Sequence, residues 1–104
     1  MANRKPRWLV YILRCADGTL YTGITTDVVR RLTQHNAGTA SKYTRARRPV
    51  ELAYSEKASG HGPALQREVA IKKLPRAVKD VLIAKSRLKP TSGKRVGVRD
   101  APPR

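Results

Sequence analysis

The chain has 104 residues, one cysteine and no phenylalanine, and its 23 Lys and Arg against 7 Asp and Glu give a formal charge of +16. One domain with one modest core of Leu, Val, Ile and Ala is expected, and the single Cys15 excludes an intrachain disulfide. The apolar run Trp8 to Leu13 is too short for a membrane span or a signal-peptide core, so a cytoplasmic protein without a membrane partner is expected.

The charge exceeds the ~2–8 that solubility asks of a small domain. It points to a polyanionic partner, nucleic acid first. No P-loop, HExxH or Cys/His metal cluster is present.

Residues 1–7 read as a basic N-terminal arm, and 8–88 as the folded domain. Trp8 to Arg14 is apolar on both faces, which predicts a central strand covered on both sides. Leu20 to Ile24 is a second strand, joined to the first through Asp17-Gly18. The loop length matters. A two-residue loop would put Tyr11 and Tyr21 on opposite faces. A three-residue loop, Ala16-Asp17-Gly18, pairs Cys15 with Thr19 and Leu13 with Tyr21, and sets both tyrosines on one face. It needs a positive φ at Gly18.

Thr25-Thr26-Asp27 supplies an N-cap for a helix running to about Asn36, with Gly38 as its stop. Val28 and Leu32 mark its core side, and Arg31 and His35 share a neighbouring face. Thr39 to Pro49 reads as a basic loop, with Lys42, Arg45, Arg47 and Arg48 around Tyr43. These residues suit a backbone-tracking nucleic-acid surface with one stacking ring, or simply a solvated loop. Val50 to Ser55 reads as a third strand. Pro63 opens a second helix over about 63–73, and Pro75 a third, ending near Leu88 with Val78, Val81 and Leu82 inward. Residues 89–104 have the composition of a disordered basic tail. The fold class is therefore α/β (α+β): a three-stranded antiparallel sheet flanked by about three helices.

Tyr11, Tyr21, Arg31 and His35 are more polar than a packed hairpin-helix unit requires. Glu68 shares a helix face with Ala64, Leu65, Ile71 and Lys72. A carboxylate beside an inward stripe must be paired or metal-bound. A salt bridge to one of the many basic residues satisfies that as well as a metal does.

Taken in order, these residues resemble the GIY-YIG nucleases, and most closely their small stand-alone bacterial members. Leu9-Val10-Tyr11 occupies the Gly-Ile-Tyr position and Tyr21-Thr22-Gly23 the Tyr-Ile-Gly position. Arg31 and His35 follow at the family's spacing. Glu68, within Ala64 to Lys73, matches the helix carrying the metal-binding glutamate. Lys42-Tyr43-Thr44-Arg45 and Arg48 to Leu52 match segments typical of the stand-alone group. The likeness spans Trp8 to about Ile83. Three departures stand out: the first triplet keeps only its tyrosine, Ile24 replaces the lysine of excision-repair members, and the late asparagine of some members has no counterpart.

The resemblance implies metal-dependent hydrolysis of DNA phosphodiesters, in a DNA repair or recombination setting. Glu68 would hold Mg²⁺ or Mn²⁺. Arg31 would grip the scissile phosphate. Tyr21 would be the general base, with Tyr11 hydrogen-bonded in support, and His35 would position water or bind phosphate. Lys42, Tyr43, Arg45, Arg47, Arg48 and Lys72 would hold DNA, or RNA. The alternative is a non-catalytic DNA- or RNA-binding protein on a degenerate nuclease fold.

Overall fold

The structure is a computed structural model that describes residues 7–88. The basic tail expected of 89–104, and all of the N-terminal arm but Arg7, lie outside the described residues. In chain order the elements are β1 (Trp8–Arg14), β2 (Leu20–Thr25), α1 (Val28–Ala37), α2 (Lys42–Arg45), β3 (Glu51–Ala58), α3 (His61–Lys72) and α4 (Arg76–Leu88).

The three strands form one antiparallel sheet in the order β2-β1-β3. The doubly apolar β1 is central, as its pattern predicts. Val10 and Ile12 point to one face, where they pack with Ala64 and Ile71 of α3 and Ile83 of α4. Tyr11, Leu13 and Cys15 belong to the other, with Val50, Tyr21, and Val28 and Leu32 of α1. Period-2 alternation along one strand thus feeds two cores. Truncating Ile12, which is fully buried, would cost about 2–5 kcal/mol.

The hairpin has the three-residue loop. Leu13 pairs with Tyr21 and Tyr11 with Gly23. The Cys15 N–H donates to the Thr19 carbonyl at 2.8 Å, and Gly18 has φ +86°. Asp17 accepts from the Thr19 N–H and hydroxyl, which tightens the turn. Tyr11 and Tyr21 therefore share a face, the arrangement the site requires.

α1 is capped by Asp27 itself, whose carboxylate accepts from the Arg30 N–H, and ends on Gly38 at φ +85°. Four elements differ from expectation. The basic loop contains a helical turn, α2, because the Ser41 hydroxyl accepts from the Thr44 N–H and caps it. β3 starts one residue later and runs three residues further than expected, with Lys57 exposed and Glu56 partly buried against Arg67. α3 starts at His61, two residues before Pro63, whose missing N–H falls among the donors a first turn leaves unpaired anyway. Val78 and Val81 are not inner residues of α4: both are largely exposed, Val81 by 55%, because α4 seats Ile83 and Leu82 on the core instead. Among the described residues, no helix is long and apolar enough to cross a membrane.

Candidate active site

The α1-bearing face of the sheet brings the expected residues together around His35. β1 contributes Tyr11, β2 Tyr21, α1 His35 and α2 Tyr43 and Thr44. The Tyr11 hydroxyl lies 2.9 Å from His35 Nε2. The Tyr21 ring meets the imidazole edge-on, with centroids 5.1 Å apart. Tyr43 stacks on Tyr21 at 5.9 Å and 27°. Both signature tyrosines thus converge on one imidazole, Tyr11 by hydrogen bond and Tyr21 by ring packing.

Tyr11 can reach so far because of Gly23. Its ring crosses the neighbouring strand at this position, and a Cβ on Gly23 would stand 2.5 Å from the hydroxyl oxygen. Only glycine leaves that space. Register alone puts Tyr11 opposite Gly23, so the requirement was visible in the sequence once the loop length was chosen.

His35 is 1% exposed, and its other nitrogen, Nδ1, lies 2.7 Å from the hydroxyl of Thr44. Both ring nitrogens are engaged by protein. This corrects the expectation that His35 itself positions water or binds phosphate: it is a buried link between Tyr11 and Thr44. Burial and then the Arg31 charge hold its pKa below the ordinary histidine value, so the imidazole is neutral at neutral pH. Thr44 is fully buried and was missed as a site residue, because its partner lies nine residues back and carries no local pattern.

Tyr11 is buried as well. Burial pushes its hydroxyl above the ordinary tyrosine value. The charges of Tyr21 and Glu68 push the same way, and Arg31 opposes them. Arg31 and Glu68, expected from distant parts of the chain, are thus close enough to act on Tyr11. Tyr11 bonds to His35, so its expected hydrogen-bonded support of Tyr21 runs instead through the shared imidazole. Tyr21 is the more accessible of the two.

Arg31 is half-buried and donates to the Gln34 side chain at 3.1 Å. Beside it, Thr25, Thr26, Asp27, Arg30 and Gln34 line a polar recess of about 260 Å³. Glu68 has a side chain 17% exposed, and its carboxylate lies 3.1 Å from the Lys72 ammonium one turn on. Lys72, expected to hold nucleic acid, is here the counter-ion of Glu68. Among the described residues, no group of three or more His, Cys, Asp and Glu converges on a metal position. A single carboxylate that already draws a cation can hold a hard divalent ion only with waters and phosphate oxygens as the other ligands.

The basic segment divides into two sets. Lys42 and Arg45 are exposed. Arg47 instead clamps the fold: its Nε meets the Asp17 carboxylate at 3.0 Å, its Nη1 donates to the Tyr43 carbonyl, and its guanidinium lies 3.8 Å over the Tyr43 ring. Arg48 donates to the carbonyls of Arg45 and Asn36, next to Gly38. Tyr43 therefore carries Arg47 and packs on Tyr21, which corrects its reading as a free stacking ring for a base.

Comparison with known proteins places the chain in a family. A family profile described as "GIY-YIG catalytic domain" matches residues 7–80. The chain is 51% identical over 83 residues to a UPF0213 protein of Desulfotalea psychrophila, covering 79% of this chain and 76% of that protein. It is 55% identical over 75 residues to a UPF0213 protein of Natronomonas pharaonis, covering 72% and 88%. The solution structure of EF2693 from E. faecalis superposes with a TM-score of 0.56 at 38% identity, over 91% of this chain and 100% of that one. With a catalytic-domain profile matched over most of its length, and the signature tyrosines sharing one face, the chain belongs to the GIY-YIG family of nuclease-like domains.

Proposed function

We propose that the protein is a divalent-metal-dependent endonuclease acting on DNA phosphodiester bonds. The observation that carries this reading is the meeting of Tyr11 and Tyr21 on one buried histidine, with Arg31 and Glu68 near enough to act on Tyr11. Tyr21, the accessible tyrosine, takes the proton of the attacking water as its phenolate, its own proton having passed to solvent beforehand, with the Arg31 charge nearby. Arg31 donates its guanidinium fork to the scissile phosphate. Tyr11 and His35 fix the geometry from behind. Glu68 would hold Mg²⁺ or Mn²⁺. When bound, the ion supplies positive charge to the leaving oxygen. Lys72, once off Glu68, joins Lys42 and Arg45 in holding the DNA backbone, and Arg48 borders the same strip. A setting in DNA repair or recombination is part of the same proposal and rests on the family resemblance alone.

A second reading is a nucleic-acid binder without catalysis. The Glu68–Lys72 pair favours it, since an internal ammonium already neutralises the metal carboxylate. Single-turnover cleavage across linear, flapped and branched DNA separates the two. Tyr21→Phe and Arg31→Ala are each expected to cut roughly a hundredfold more slowly than wild type, with binding retained for Tyr21→Phe. Equal rates for wild type and Tyr21→Phe would remove the tyrosine from its role.

A further inference from the structure

We propose that Thr44 is a positioning residue of this site: it holds His35 as the Nδ1–H tautomer, so that the Tyr11 hydroxyl gives its proton to His35 and offers only acceptor lone pairs to the cleft. The functional part of this inference rests on the nuclease reading; the tautomer itself does not.

Three buried groups form the chain. Tyr11 Oη and His35 Nε2 are 2.9 Å apart, and His35 Nδ1 and Thr44 Oγ1 are 2.7 Å apart. All three residues are essentially without solvent contact. Thr44 is fixed in turn by α2, where its N–H donates to the Ser41 hydroxyl at 3.3 Å. The imidazole is neutral, so it has one donor and one acceptor. Two proton patterns are then consistent.

In the first, Tyr11 donates to Nε2, the Nδ1–H donates to Thr44, and the Thr44 hydroxyl donates to the Ser41 carbonyl at 3.4 Å. Every proton reaches an acceptor, and the chain closes on a carbonyl that can only accept. In the second, Thr44 donates to Nδ1, Nε2–H donates to Tyr11, and the Tyr11 proton points away from His35. Among the described residues, none accepts that proton within hydrogen-bond distance. A buried donor without an acceptor is the arrangement folded proteins avoid most consistently. The first pattern gives every proton of the chain an acceptor within the protein, and it is the one assigned here.

The polarity of this chain sorts what the cleft can take. A phosphate oxygen is an acceptor and gains nothing from a Tyr11 oxygen whose proton is already committed. The attacking water, brought in with the substrate, can donate to it. Tyr11 thus favours the nucleophile side of the site and leaves the phosphate to Arg31.

The test is imidazole ¹⁵N NMR on wild type, Thr44→Ser and Thr44→Val near neutral pH, with melting curves and steady-state cleavage on the same samples. Wild type and Thr44→Ser are expected to show a pyrrole-like Nδ1 and a pyridine-like Nε2 for His35. Thr44→Val, isosteric but without the acceptor, is expected to show the reversed pattern. Its kcat is expected to fall roughly tenfold with KM nearly unchanged, and Thr44→Ser to retain activity. A wild-type spectrum with Nε2–H, or the same tautomer in Thr44→Val, overturns the proposal. If Thr44→Val does not fold, the wild-type and Thr44→Ser spectra still decide. If no protein cleaves while wild type shows Nδ1–H, the nuclease reading fails and the tautomer assignment stands.

Discussion

The hydroxyl of Tyr11 and Nε2 of His35 meet at 2.9 Å, and this bond ties the central strand to α1 across the site-bearing face of the sheet. It explains why a small, highly basic domain places a histidine where a leucine would pack as well. The imidazole receives Tyr11, the edge of Tyr21 and the hydroxyl of Thr44 at once. Removing it would disturb three side chains from three elements.

Stability is expected to fall on mild acidification because of His35. Its folded pKa lies below its unfolded value of about 6.5. Between the two, the unfolded chain binds more protons, so stability rises with pH. The contribution is complete above about pH 6.5 and is lost as pH falls through the folded pKa. Urea midpoints at about pH 7.5 and about pH 5.5 check this. His35→Gln should show a clearly smaller difference between the two conditions. An equal drop in both proteins would contradict it.

Gly23→Ala is expected to displace Tyr11. A Cβ there would stand 2.5 Å from the Tyr11 oxygen, and the edge of β2 cannot relax without breaking its pairing with β1. The expected cost is about 1–3 kcal/mol, from overpacking. Gly62→Ala is the control: nothing lies within 4 Å of its Cβ, and α3 should gain about 0.5–1 kcal/mol. Chemical denaturation of both variants gives the comparison. A Gly23→Ala protein as stable as wild type would show that Tyr11 does not need the gap.

The basic residues are expected to separate by role. Lys42→Ala and Arg45→Ala should leave stability nearly unchanged. Each should lower the slope of log binding constant against log salt by roughly 0.9, one phosphate contact apiece. Arg47→Leu should do the reverse. It loses the Asp17 pair and the Tyr43 ring contact, so its melting temperature should fall, with little change in salt slope. Binding titrations at several salt concentrations, together with melting curves, distinguish the two. A large slope change in Arg47→Leu would return that residue to the DNA surface.

The hairpin was legible in full because it depends on local quantities: strand parity, loop length and a glycine able to take positive φ. The meeting of Tyr11 and Tyr21 on one face was legible through strand parity and the ordered family pattern. Three site features were not. Thr44 and Arg47 act through partners 9 and 30 residues away, and nothing near them in the chain names those partners. Tyr43 looked like a free ring for the same reason. On α4, Val78, Val81, Leu82 and Ile83 cover more than one helix face. Periodicity pointed to Val78, Val81 and Leu82 as the inner face, and packing on the sheet turned the helix toward Leu82 and Ile83 instead. The capping serine of α2 was present in the sequence, but four helical residues carry too little periodicity to mark a helix.

The central claim is that Glu68 makes this fold a metal-dependent nuclease. The most direct measurement is nicking of supercoiled plasmid by wild type and Glu68→Gln, with Mg²⁺, with Mn²⁺ and with chelator, alongside DNA affinity for both proteins. The account predicts nicking by wild type only with a divalent ion. It predicts a loss of roughly a hundredfold or more in Glu68→Gln, with affinity for DNA without metal preserved. Nicking by Glu68→Gln at the wild-type rate, or no nicking by wild type with either ion, would contradict it.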